Sequence, residues 1–271
     1  MQILLLTLAL LTPAAGADSL IQFRLDGVPL SASPLVDLTK SIPPQEITVY
    51  EPHEKQEVKY RGFPANAVLT KAFGAEWQKR DEIVFVCADG YRAVLPAAKF
   101  SEYEAYLTFE RVGANEFALT NTLQGNERVP LGPLYLVWDN VKAPALKAEA
   151  AHGWPYQVVG IEAQRSSATK IKSVPAKNAS AIVKAGYDAF QKNCVTCHRV
   201  NGEGGEKSFD LTQPVAVTTY FKEPWLEKWI INPSALRPGT TMPALSCEPT
   251  EAKRIAKSII AYLKAMAPKA R

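Results

Sequence analysis

Metal-ligating side chains are scarce in this chain of 271 residues, which has three histidines, three methionines and four cysteines. A zinc site of cysteine and histidine needs four such ligands at close spacing. Beyond the pair Cys194 and Cys197, no second pair stands near enough to complete one. Long apolar runs are lacking too. The stretch from Ile3 to Leu11 is far shorter than the roughly 20 residues a membrane-crossing helix takes, and no later stretch has the look of a span, so a cleaved leader is expected over an uncleaved anchor and no transmembrane anchor is expected. There is no internal repeat and no nucleic-acid-binding motif, so nucleic acid is not an expected partner. The composition, 47% hydrophobic and 21% charged, is that of ordinary globular domains.

Charge is absent from the side chains of residues 1–17. Their apolar run and small-residue ending, Ala15-Gly16-Ala17, outline a signal peptide cut before Asp18. The mature protein is therefore expected in the periplasm or otherwise exported.

What the chain does have is Cys194-Val195-Thr196-Cys197-His198. Two thiols three positions apart can each bond one vinyl group of a single porphyrin, and the histidine that follows supplies an imidazole to the iron. A thioredoxin-like dithiol would follow a strand and would leave His198 unexplained, whereas the residues before Cys194 pattern as a helix. The spacing predicts one covalent haem c with Cys194 and Cys197 as thioether residues and His198 as an iron ligand. The motif occurs once, which sets aside a two-haem peroxidase. Further on, Met242 sits in Arg237-Pro238-Gly239-Thr240-Thr241-Met242-Pro243, a loop punctuated by proline and glycine. A methionine there is better placed as the second axial ligand than as core filler.

These features, together with Ala185-Gly186-Tyr187-Asp188-Ala189-Phe190 and an apolar helical pattern from Thr250 to Met266, resemble a class I monohaem cytochrome c from about 178 to 268. The resemblance implies that Gly186 and Phe190 meet the last helix near Ile259 and Leu263, with Tyr262 flanking. A short helix is expected over Pro224–Ile231, with Trp225 and Trp229 in the haem-pocket wall and core, and Thr250 is expected to cap the last helix. The family often places a proline carbonyl beneath the proximal histidine. Here the sequence reads Ser208-Phe209-Asp210-Leu211, so Phe209 would supply that carbonyl.

A monohaem cytochrome accounts for only part of the chain, so a second domain is expected. The polar run 164–178 reads as a linker between residues 18–163 and an all-α cytochrome c domain at 179–271. Of the 31 basic and 27 acidic residues, 16 and 8 lie from Ala168 onward, leaving 15 and 19 before it. A basic surface around the haem edge would steer docking onto an acidic redox partner protein.

Residues 18–163 pattern as a strand-rich, mixed α+β domain. Alternation is clear at Ile21, Phe23 and Leu25, and Ile83–Cys87 and Tyr91–Leu95 flank a hairpin turn at Ala88-Asp89-Gly90. Cys87-Ala88-Asp89-Gly90-Tyr91-Arg92-Ala93-Val94-Leu95-Pro96 and Gly132-Pro133-Leu134-Tyr135-Leu136-Val137 resemble the sulfite-oxidase-like, molybdopterin-binding fold. That resemblance implies that Cys87 stands near the place of a molybdenum ligand. On its strand, however, Cys87 shares a face with Ile83 and Phe85, which favours a buried hydrophobe or a disulfide to Cys247. The region offers only His53 and His152. Its leader also lacks the twin arginines with which folded, molybdopterin-loaded proteins are exported, which argues against that cofactor. The expected function is single-electron transfer through a His198/Met242-ligated haem, with the first domain as a docking or accessory module. The alternative is a haem-molybdenum dehydrogenase of the sulfite-oxidase type.

Overall fold

The computed structural model describes residues 19–122, 126–149, 151, 153–165, 170–245 and 247–268. The leader at 1–17 and His152 lie outside the described residues. Buried apolar side chains fall into two clusters, one drawn from Ile21 to Ala163 and one from Ile171 to Leu263.

The N-terminal region is strand-rich. Strands β1 (Leu20–Leu25), β2 (Val28–Pro34), β3 (Gln45–Glu51), β4 (Gln56–Pro64), β5 (Glu82–Cys87), β6 (Arg92–Pro96), β7 (Ala105–Arg111), β8 (Ala118–Asn121), β9 (Glu127–Pro130), β10 (Tyr135–Trp138) and β11 (Val158–Gln164) alternate with helices α1 (Leu35–Ser41), α2 (Ala65–Phe73) and α3 (Ala97–Glu102). One sheet has the order β2-β1-β11-β5-β6 and a second β10-β7-β4-β3. Only β1 and β11 run parallel, among the pairs of these two sheets. Ile21 and Phe23 alternate with exposed neighbours along β1, and with Phe85 they join Val49, Tyr60 and Leu107 of the second sheet in one core. Edge strand β6 ends the first sheet on the side of the C-terminal region.

A polar network lies inside this core. The Glu51 carboxylate is fully buried and accepts hydrogen bonds from Tyr60 (2.9 Å) and Tyr135 (3.0 Å), and it lies 2.7 Å from Nδ1 of His53. Burial, and then the Glu51 charge, push both tyrosines above the usual phenol range, so they remain donors. Removing the carboxylate would orphan these donors, at about 1–3 kcal/mol for each group left unsatisfied.

The C-terminal region is helical: α4 (Ala181–Asn193), α5 (Val217–Tyr220), α6 (Glu223–Ile231) and α7 (Pro249–Met266), with a minute hairpin of β12 (Arg199–Val200) and β13 (Glu203–Gly204). Ala252, Ala256, Ile259, Ile260 and Leu263 form the buried stripe of α7. Gly186 is where α4 crosses it. A Cβ there would lie 1.9 Å from the Ser258 carbonyl oxygen and 2.8 Å from the Tyr262 Cβ. Phe190 packs beside Tyr262, ring centroids 5.6 Å apart.

Two expectations need correction. Thr250 does not cap α7, because Pro249 takes the first helical position, where its missing N–H costs nothing, and Glu248 stands before it. The run 164–178 is not uniformly a free linker. Gln164 ends β11, and Ile171 is buried in the second core. Its carbonyl accepts from Tyr187 (3.1 Å) and that of Ser173 from Tyr262 (2.7 Å), so the chain is strapped to the helices before α4 begins.

Candidate functional site

Helix α4 runs directly into the Cys194–His198 segment. The N–H groups of Cys194 and Val195 donate to the Phe190 carbonyl at 2.9 and 3.1 Å, and those of Cys197 and His198 to the Cys194 carbonyl at 3.1 and 2.9 Å. This continued coil brings residues three apart to one side. Both thiols, His198 and Met242 line a single cavity of about 1610 Å³. Its walls include Leu226, Trp229 and Ile230 of α6 and Ile259 and Leu263 of α7.

His198 is buried, and its Nδ1 lies 3.0 Å from the Phe209 carbonyl oxygen. A carbonyl can only accept, so Nδ1 carries the hydrogen and the lone pair is on Nε2. Burial holds the imidazole below its ordinary pKa, against the pull of the Phe209 bond, so it is neutral at pH 7. The Phe209 carbonyl is itself held. Next to it, the Asp210 carboxylate accepts from Gly202 N–H (2.6 Å), Thr212 N–H (2.8 Å), the Thr212 hydroxyl (2.7 Å) and Gln213 N–H (3.1 Å). Burial pushes this carboxyl up, but these donors outweigh it and hold it below the usual carboxylate range. The sequence reading missed Asp210. Its signal was an Asp-x-Thr turn motif after Phe209, where the resembled family has the stiffness of proline.

Burial pushes the Cys194 thiol up to about 12 and raises that of Cys197 as well, with the Cys197 charge adding at Cys194. Redox dithiols need a lowered pKa, so the pair lacks that character. The donor set suits a covalent haem: two thiols on one side of a helical coil, an Nε2 lone pair beside them, and a thioether on the same cavity. Gln191 adds an amide oxygen, buried without a partner, on that wall.

Other expected residues fall elsewhere. Trp225 is 53% exposed and off the cavity wall, because the buried stripe of α6 centres on Leu226 and Ile230. Trp225 points about 100° away from Leu226, with the Lys228 ammonium over its ring at 4.7 Å. Cys87 is buried in the first core with Ile83 and Phe85, does not line the cavity, and is pushed up to about 12 by burial and then by Asp89. Cys87 and the exposed Cys247 are both free, so the disulfide considered between them is not formed; one is packed in the core of the N-terminal region. Among the described residues, no group of three His, Cys, Asp or Glu is arranged to hold a metal ion, and no helix is long and apolar enough to cross a membrane.

No curated protein matches the chain. Residues 183–267 match the family model of Cytochrome c, which supports a cytochrome c domain in the helical C-terminal region and, with it, covalently bound haem c.

Proposed function

We propose that this protein is an exported electron carrier with one haem c, attached through Cys194 and Cys197 and ligated by His198 and Met242. The observation that carries the reading is a single cavity lined by all four side chains, with His198 already oriented by Phe209. The bound haem supplies a one-electron iron couple. The chain's own part is to fix the imidazole through Phe209 and Asp210 and to exclude water with the α6 and α7 side chains. With His198 and Met242 both serving as iron ligands, such a haem would keep no coordination position for substrate. A molybdenum dehydrogenase built on Cys87 is not favoured, since that thiol is enclosed among Ile83 and Phe85.

Met242→Ala is the direct test of the axial pair. Loss of the thioether is expected to abolish the weak red-edge charge-transfer band of sulfur-ligated ferric haem and to lower the reduction potential. An unchanged band and potential would remove Met242 from the site.

The partner we propose is a redox protein with an acidic docking face. Phe209 and Tyr220 are exposed at the cavity mouth, and Lys222, Lys228 and Arg237 lie in the same part of the chain. Electron exchange with such a partner should slow several-fold as salt rises toward physiological strength. A flat salt profile would dispose of charge steering.

A further inference from the structure

The turn between β5 and β6 reaches across to the haem-attachment segment. Arg92 N–H donates to the carbonyl of Thr196, between the two cysteines, at 3.2 Å, and Glu206 N–H donates to the Gly90 carbonyl at 3.1 Å. Gly90 has φ +82°, and a Cβ there would lie 2.7 Å from the Glu206 carbonyl carbon and 2.9 Å from the Lys207 nitrogen. Only glycine tolerates both that backbone angle and that approach. Beside it, the Lys207 ammonium is 2.8 Å from the Asp89 carboxylate and 5.5 Å from the centre of the Tyr91 ring. Tyr91 and Arg92 also line the cavity that holds Cys194, Cys197 and Met242. The N-terminal region thus forms part of the cavity wall.

We propose that the N-terminal region is a fitted cover over the Cys197 side of the haem site, latched by Asp89, Gly90 and Tyr91. It closes that side to an outside redox protein and leaves exchange to the rim at Phe209 and Tyr220. The proposal rests on the haem reading, because Cys197, next to the Thr196 carbonyl that Arg92 holds, would carry one of the two thioether bonds. Charge supports the fit: the covering region is net acidic, the covered one net basic, and Lys207 is already spent on Asp89. A redox protein approaching from this side would meet the hairpin first.

The test uses the full chain carrying its haem, whose content is measured first, so that a failure of the haem reading is seen separately. Asp89→Lys replaces the ion pair with two ammonium groups that repel, Gly90→Val forces the turn off Glu206, and Lys207→Gln breaks the latch from the other side without touching the N-terminal region. Asp37→Lys, at an exposed position of α1, matches the charge change of Asp89→Lys away from the interface. Small-angle scattering reads whether the cover opens. Reduction by hydroquinone and by a small reduced blue-copper protein reads access for a small and a bulky donor. The latch variants are expected to enlarge the particle and to raise the protein-donor rate on the order of tenfold, as an orientational constraint on docking is relieved. The hydroquinone rate should stay within about twofold, and Asp37→Lys should change neither reading. The proposal is overturned if the particle enlarges without a faster protein-donor rate, if both donors speed up equally, or if no latch variant opens the cover.

Discussion

Gly186→Val is expected to lower the unfolding temperature of the C-terminal region by more than ~10 °C. The substituted Cβ would have to occupy space 1.9 Å from the Ser258 carbonyl oxygen. Backbone sits on the far side of that contact, so no side chain can rotate out of the way, and α4 must move off α7. Forced overpacking in a core costs about 1–3 kcal/mol and more where backbone must shift. At ~3 kcal/mol, a domain of this size loses 4–8 °C per kcal/mol, roughly. The same displacement would separate Phe190 from Tyr262 and draw the Cys194–His198 coil away from Ile259 and Leu263. Thermal unfolding followed in the aromatic circular-dichroism region measures it. A loss below ~1 kcal/mol would mean that the helices do not cross where Gly186 stands.

The second large effect falls on the thiols. In the double variant Cys194→Ala, Cys197→Ala, no haem is expected to stay with the polypeptide in denaturant, whereas either single variant should retain one covalent bond. The two residues lie three apart on a coil whose turns are fixed by the Phe190 and Cys194 carbonyls, so each thiol faces the same cavity independently of the other. Retention of haem by the denatured double variant would require a different attachment residue.

The parts of this protein legible in its sequence are those whose chemistry is local. A Cys-x-x-Cys-His run needs only five consecutive residues, and the apolar stripe of α7 needs only its own periodicity. The β5–β6 hairpin was announced by Ala88-Asp89-Gly90 for the same reason. What escaped depends on partners far apart in the chain. Tyr135 and Glu51 meet across 84 residues, and no spacing signals a buried carboxylate there. Lys207 looked like one more member of a basic surface until the fold set it on Asp89. Trp225 misled because a tryptophan on a short amphipathic helix reads as core, while the stripe actually buried lies at Leu226 and Ile230. The strap from Ile171 to Ser173 looked like linker because its anchors, the hydroxyls of Tyr187 and Tyr262, come from helices that follow it. The position of Phe209 under His198 was expected; Asp210, which holds the carbonyl there, was not.

The central claim is that Cys194 and Cys197 hold one haem covalently on the cavity shared with His198 and Met242. It is tested most directly by the intact mass of the denatured protein, produced in a host able to attach haem c. The account predicts the mass of the polypeptide plus a single haem, with no haem released into the solvent. The mass of the bare polypeptide, or haem that parts from the chain on denaturation, would contradict it.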